Sequence, residues 1–197
     1  MIGQLGILRR RDTSGAPPIT GNTLQIGFGT TRVYGILINS EMNYSKNAVI
    51  YTAAELGGAK TITEIEMYFR SYTTPVTLNN QSIRLSHVVE SEFPITASAD
   101  LSETMNITDT VTVKTPFTLN INSNNQWYSF PFTTNFVYNG TSNLLVEWDQ
   151  YDGSGSVGTG GTDGATYTNK VFQANASSLP ITGGSRSSNR PNIKIHY

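Results

Sequence analysis

His87 and His196 are the only two imidazoles among 197 residues, and the chain contains no cysteine. Acid–base catalysis near neutral pH most often uses imidazole, and a Ser, Thr or Cys nucleophile needs a base beside it. Both histidines fall in stretches that read as strands, with no paired acid visible in the sequence, so a structural role is expected for each. No G-x-S-x-G elbow, H-E-x-x-H zinc helix or phosphate-binding G-x-x-x-x-G-K-[ST] loop occurs. A zinc site of His and Cys ligands is not expected from so few such residues. The sequence therefore assigns no catalytic residue, no metal ligand and no cofactor, and the chain reads as a non-enzyme.

Carboxylates offer two weaker candidates. Glu64 and Glu66 are two positions apart and share a strand face, as a pair of glycosidase acids can. The simpler reading makes them the solvated face opposite Ile65 and Met67. Asp149, Asp152 and Asp163 flank the glycine-rich stretch 152–164. Calcium takes several oxygen ligands from a flexible loop, but the spacing matches no EF-hand and the acids are few, so a plain loop is the simpler reading.

Aromatic rings point to a third chemistry. An exposed tyrosine offers an apolar ring face with a polar tip, which suits stacking against a sugar ring. Tyr44, Tyr72, Tyr128, Tyr138, Tyr151 and Tyr167 are the candidates for glycan binding. Trp127 and Trp148 lie within strand patterns and are assigned to the core.

These residues sit on a chain of short alternating segments. Between Thr61 and Arg70, residues Thr63, Ile65, Met67 and Phe69 point one way; Glu64, Glu66, Tyr68 and Arg70 point the other. Strict alternation of this kind marks a half-buried antiparallel strand. Ile83, Leu85, His87 and Val89 repeat the pattern, as do Leu144, Val146 and Trp148. Ala48 to Tyr51 reads as a buried strand. Thr52-Ala-Ala-Glu55 fits a capping box, predicting one helical turn stopped at Gly57-Gly58. Asn139-Gly140 marks a tight turn. Strands are also expected at 109–113 and 117–121, divided by Thr115-Pro116, and at 126–132, 171–174 and 193–197. Residues 72–80 read as a loop, 91–105 as a connection with a short turn of helix, and 183–189 as polar and loose. About ten strands at this spacing predict an all-β fold, an antiparallel β-sandwich of jelly-roll type.

Four segments carry a family resemblance: Ile26-Gly27 with Gly29-Thr30, Asn43 to Phe69, Phe136 to Asp149, and Arg190-Pro-Asn-Ile193. Together they resemble a β-sandwich module of surface and adhesin-like proteins of Bacteroidota, and they cover most of 22–197. The resemblance implies a binding or spacer domain without a defined active site.

Composition narrows the partners. Charged residues make up 14% of the chain and the net charge is −1, so the basic footprint of a nucleic-acid binder is missing. No apolar run is long enough to span a membrane as a helix. Residues 1–21 read as a docking arm and linker, and 22–197 as the β-sandwich domain. In the arm, Ile2, Leu5, Ile7 and Leu8 precede Arg9, Arg10 and Arg11, and Pro17-Pro18 favours an extended spacer. A frayed tail is the plain alternative. An apolar tip beside arginines suits insertion into a partner's groove. The order, apolar before basic, is the reverse of a secretory signal.

These readings converge on an expected structural protein of a phage virion, a head fibre, decoration, collar or tail component, in a phage infecting Bacteroidota. It would be made in the host cytoplasm and anchored through residues 1–11 to other virion proteins of the capsid or tail. A homo-oligomer is expected, with host surface glycan as a possible further partner. The alternative is a carbohydrate-binding or adhesion module of a bacterial cell-surface protein.

Overall fold

A computed structural model describes residues 21–34, 42–70, 75–95, 97–153 and 161–197. The arm residues Ile2, Leu5, Ile7, Leu8, Arg9, Arg10 and Arg11, and Tyr72, lie outside the described residues.

The first half of the chain contributes β1 (Thr23–Ile26), β2 (Thr31–Tyr34), β3 (Tyr44–Tyr51), helix α1 (Ala53–Leu56), β4 (Lys60–Arg70), β5 (Val76–Val88) and β6 (Ala97–Ser98). A 3₁₀ turn (Leu101–Glu103) follows, then β7 (Ile107–Ile121), β8 (Gln126–Tyr138), β9 (Asn143–Gln150), β10 (Gly161–Ala176), β11 (Gly183–Pro191) and β12 (Ile193–His196). The fold is all-β and its ladders are antiparallel.

One hydrogen-bonded path runs β1-β12-β4-β10-β3-β9-β5-β7, with β8 on β4, β2 on β10, and β11 joining β10 to β6. The path crosses from β4 to β3 through β10. Residues 161–164 of β10 pair with β2, residues 161–162 also pair with β4, and residues 171–176 pair with β3. Positions distant along the path nevertheless touch. The Phe130 ring of β8 meets the Trp148 ring of β9 edge-on, with centroids 4.9 Å apart. The sheet therefore folds back on itself around one apolar cluster, which takes Ile65, Met67 and Phe69 from β4, Ile83 and Leu85 from β5, and Val146 and Trp148 from β9.

The alternation expected for β4 holds from Glu64 onward. Between Ile62 and Glu64 the register against β8 shifts, with residues 132–135 of β8 facing Thr63 alone, and Ile62 as well as Ile65 enters the core. Thr52 and Glu55 form the expected capping box. Glu55 Oε2 accepts from the Thr52 backbone N–H at 2.9 Å, and α1 ends at Gly57 with φ +72°.

A second, smaller core lies on the opposite face of β3, β9 and β10. Residues 93–95 and 97–105, including the 3₁₀ turn, cover Ile50, Leu145 and Phe172 with Phe93, Leu101 and Met105. The expected turn of helix is thus present, and its task is to roof this face. The edge of this roof borders a charged stretch of β3, β5 and β9.

Candidate binding face

The charged face at the edge of the roof is built by register. On β3, Tyr44, Lys46, Ala48 and Ile50 alternate with the residues that face the main core. On β9, Tyr151 follows the strand and continues the row of Leu145, Glu147 and Asp149. Lys46 stands opposite Asp149 and Ala48 opposite Glu147. On β5, Arg84 stands opposite Glu147 and Ser82 opposite Asp149. Three strands thus place two cations and two carboxylates together on one face.

Arg84 ties them together. Its Nη2 donates to Glu147 Oε1 at 2.9 Å and its Nη1 to Asp149 Oδ2 at 2.6 Å. Burial works against the Arg84 charge, but Glu147 and Asp149 outweigh it and raise its pKa. Burial also lifts the Asp149 carboxyl above the ordinary carboxylate range, with Arg84 as the main counterweight. Asp149 is only 3% exposed, and its Oδ1 is buried without a hydrogen-bond partner. Lys46 reaches to the roof, where its Nζ donates to Ala99 O at 3.2 Å.

Above this charged floor is a cavity of about 280 Å³, walled by Lys46, Arg84, Glu147, Thr110, Ile107 and the roof residues 99–102. At the adjoining end of the face, the Tyr44 and Tyr151 rings lie 6.3 Å apart at 56°. Burial and the nearby Asp149 carboxylate raise the Tyr151 pKa.

The other candidates resolve differently. Both histidines have acid partners, which corrects the expectation of unpaired imidazoles. His87 Nδ1 lies 3.0 Å from Asp109 Oδ2 on β7, and its Nε2 accepts from the Asn139 N–H at 3.1 Å. His196 Nε2 lies 2.7 Å from Glu66 Oε1, and its Nδ1 lies 3.0 Å from Thr23 Oγ1. The partners lie 22 and 130 positions away in sequence, beyond the reach of spacing arguments.

Glu64, Glu66 and His196 place three ligand atoms within 4.8 Å of one another, a grouping that could hold a metal ion. Its charges are already engaged. Lys194 Nζ donates to Glu66 Oε2 at 3.0 Å, and Ser129 Oγ donates to Glu64 Oε1 at 2.5 Å. The acids around the glycine-rich stretch do not converge either. Asp149 serves Arg84, Asp152 accepts from the Asn79 N–H, and Asp163 pairs with Arg70.

Of the tyrosines expected at a glycan site, Tyr44 and Tyr151 come together. Tyr138 is fully buried, with its hydroxyl donating to Ser142 O at 2.6 Å, so it cannot stack a ligand. Its place two residues after Phe136 on β8 puts both rings in the core. Tyr128 is tied by its hydroxyl to the turn at 122–123. The Tyr167 ring is covered by the Arg190 guanidinium at 3.8 Å. Trp148 is core as expected. Trp127 is only half-buried, edge-on to Tyr68 and beneath Lys194 at 4.3 Å. Lys46, Arg84 and Glu147 were not singled out by sequence, because each reads as an ordinary solvated strand position.

No protein-family model matches the chain, and no curated protein matches it. Three of the four sequence segments singled out above meet in space. Arg190 grips Glu55, Tyr51 donates to Pro191 O at 3.1 Å, and Asn192 Nδ2 donates to Gly29 O at 2.7 Å. The motif residues thus have a structural reason to occur together.

Proposed function

We propose that the chain is a non-enzymatic structural protein of a phage virion, a fibre, decoration, collar or tail component, held to a capsid or tail partner through residues 1–11. The observation that carries the non-enzymatic part is the state of the two imidazoles. Each has both ring nitrogens within hydrogen-bond distance of a protein partner; His196 does join the Thr23 hydroxyl to Glu66, but neither residue of that Thr–His pair lines the cavities of about 280 and 400 Å³. The virion part is supported by the arm's sequence: four apolar residues beside three arginines, on a near-neutral chain rich in Thr, Ser and Asn. The test is deletion of residues 1–11, with incorporation into particles as the readout. Loss of incorporation with an unchanged melting temperature is the expected result. Full occupancy by the truncated chain would reject the anchoring role.

A second reading, carbohydrate recognition by an adhesion-type module, is favoured by one specific observation. Tyr44 and Tyr151 pair at the end of a face that also holds a polar cavity. The two readings are compatible, since an exposed virion part can contact host glycan.

A further inference from the structure

We propose that the cavity above Arg84 and Glu147 binds a neutral, hydroxyl-rich ligand the size of a monosaccharide, with Tyr44 and Tyr151 beside its open end. The proposal rests on the carbohydrate-recognition reading and gives it a place and a ligand class.

Charge decides the class. Lys46 and Arg84 line the cavity with two positive charges, and Glu147 and Asp100 with two negative ones. Asp149 adds a third carboxylate behind Arg84, outside the lining, and Asp100 at the roof is bonded to the Ser102 N–H and hydroxyl, so the charges at the floor are those of Arg84 with Glu147 and Asp149. An anionic ligand would compete with both carboxylates for Arg84, and a cationic one would compete with Arg84 for both carboxylates. Either would leave a partly buried charge unpaired, which is expensive. A hydroxyl both donates and accepts. It can therefore join this network without breaking an ion pair.

The second support is the orphaned acceptor. Asp149 gives Oδ2 to Arg84 and leaves Oδ1 buried without a donor. Buried polar groups are rarely left in that condition. Lys46 stands opposite Asp149 in the ladder and Arg84 is bonded to it, and both line the cavity. A ligand hydroxyl, or a water that the ligand holds, reaching between these two side chains would supply the missing donor.

The walls supply the third. Ala99, Leu101 and Ile107 add apolar surface to the wall, between the polar Asp100 and Ser102. A pyranose has a C–H face and a hydroxyl rim, and this cavity offers a surface for each. Two other polar clusters are closed. Glu64, Glu66 and His196 are bonded to Lys194, Ser129 and Thr23. The cavity of about 400 Å³ beside His87 meets an imidazole already engaged at both nitrogens.

The test is a titration of the ¹⁵N-labelled full chain with glucose, galactose, mannose and N-acetylglucosamine, and with their methyl glycosides. Glucosamine and N-acetylneuraminic acid serve as charged controls. At least one neutral sugar is expected to shift the amides of residues 99–102 and 149–151, and to bind at least about tenfold more tightly than either control. Ser102 is exposed at the cavity edge, so Ser102→Trp should block the mouth with the melting temperature unchanged, weakening binding at least about tenfold. Tyr151→Ala should weaken it too. Equal binding of the methyl glycoside supports the site with a terminal glycan residue as its source; rejection of the glycoside supports it with a free sugar. Preference for a charged control overturns the ligand class. Binding that ignores Ser102→Trp overturns the site and leaves carbohydrate recognition standing. No response to any of these sugars also overturns the site, and carbohydrate recognition falls with it only if a panel of oligosaccharides fails to bind as well.

Discussion

Arg190 and Glu55, 135 positions apart, form a two-pronged ion pair, with Nη1 on Oε2 at 2.9 Å and Nη2 on Oε1 at 2.5 Å. The Arg190 side chain is 1% exposed, stacked between the rings of Tyr51 and Tyr167, and its Nη1 also donates to Ile50 O. Glu55 in turn caps α1. One carboxylate therefore fixes the helical turn and neutralises a guanidinium inside the protein. Glu55→Gln keeps the cap but leaves the guanidinium without its counter-charge. Because Glu55 is partly open to solvent, this should cost about 1–3 kcal/mol, less than breaking a fully buried pair, seen as a lower urea midpoint at unchanged slope. Adding Arg190→Met should restore part of the loss.

The same pair sets an acid limit. Burial alone would raise the Glu55 carboxyl, but the bonds from Arg190 and Thr52 outweigh it and pull the pKa from 4.5 down to about 2. A group whose folded pKa is depressed contributes stability that is complete above its unfolded value. That contribution is lost as pH falls from about 4.5 through about 2. The carboxylate is partly open to solvent, so screening leaves about 1–2 kcal/mol. Denaturation midpoints measured down this range should fall for the natural chain. The Glu55→Gln difference should shrink over the same range.

Gly164 and Gly58 should respond in opposite ways to a methyl group. A Cβ at Gly164 would lie 2.3 Å from Arg190 O and 2.7 Å from Val33 Cγ2, in the crowded crossing of β2, β10 and β11. Gly164→Ala should lose about 1–3 kcal/mol, because the obstructing oxygen is backbone. At Gly58 nothing lies within 4 Å, and Gly58→Ala should stay within about 0.5 kcal/mol of the natural chain. Thermal denaturation of the two variants side by side is the measurement.

Trp148 depends on one hydrogen bond. Its indole Nε1 donates to Gln81 Oε1 at 2.9 Å, and both residues are fully buried. Gln81→Leu fills the space but strands the indole N–H. The expected cost is about 1–3 kcal/mol, read from the unfolding midpoint by tryptophan fluorescence.

Where the sequence was legible, the signal was local. The β4 alternation, the capping box at Thr52 and the Asn139-Gly140 turn each depend on residues within a few positions, and each is present. What failed depends on distant partners. β11 reads GGSRSSNRP, with no apolar period, and is a strand because β10 and β6 supply its ladder. Pro116 seemed to divide two strands; it lies within β7, whose ladder is with β5 alone and which can therefore spare a donor on its open edge. Alternation told which side of its strand Arg84, Glu147 or Lys46 would occupy. Only the register between three strands could tell that they share a cavity.

The crossing of the sheet path through β10 bears on how the protein comes apart. A strand with one end laddered to β2 and β4 and the other to β3 cannot be released by either half alone. Fraying that begins at β1 or at β7 can stop short of it, but any opening that frees β10 must dismantle both halves together. The amides of its laddered residues, 161–166 and 171–176, should therefore exchange with solvent only at the rate of global unfolding. A single cut within residues 161–176 would cost the molecule its cooperativity rather than one of its edges.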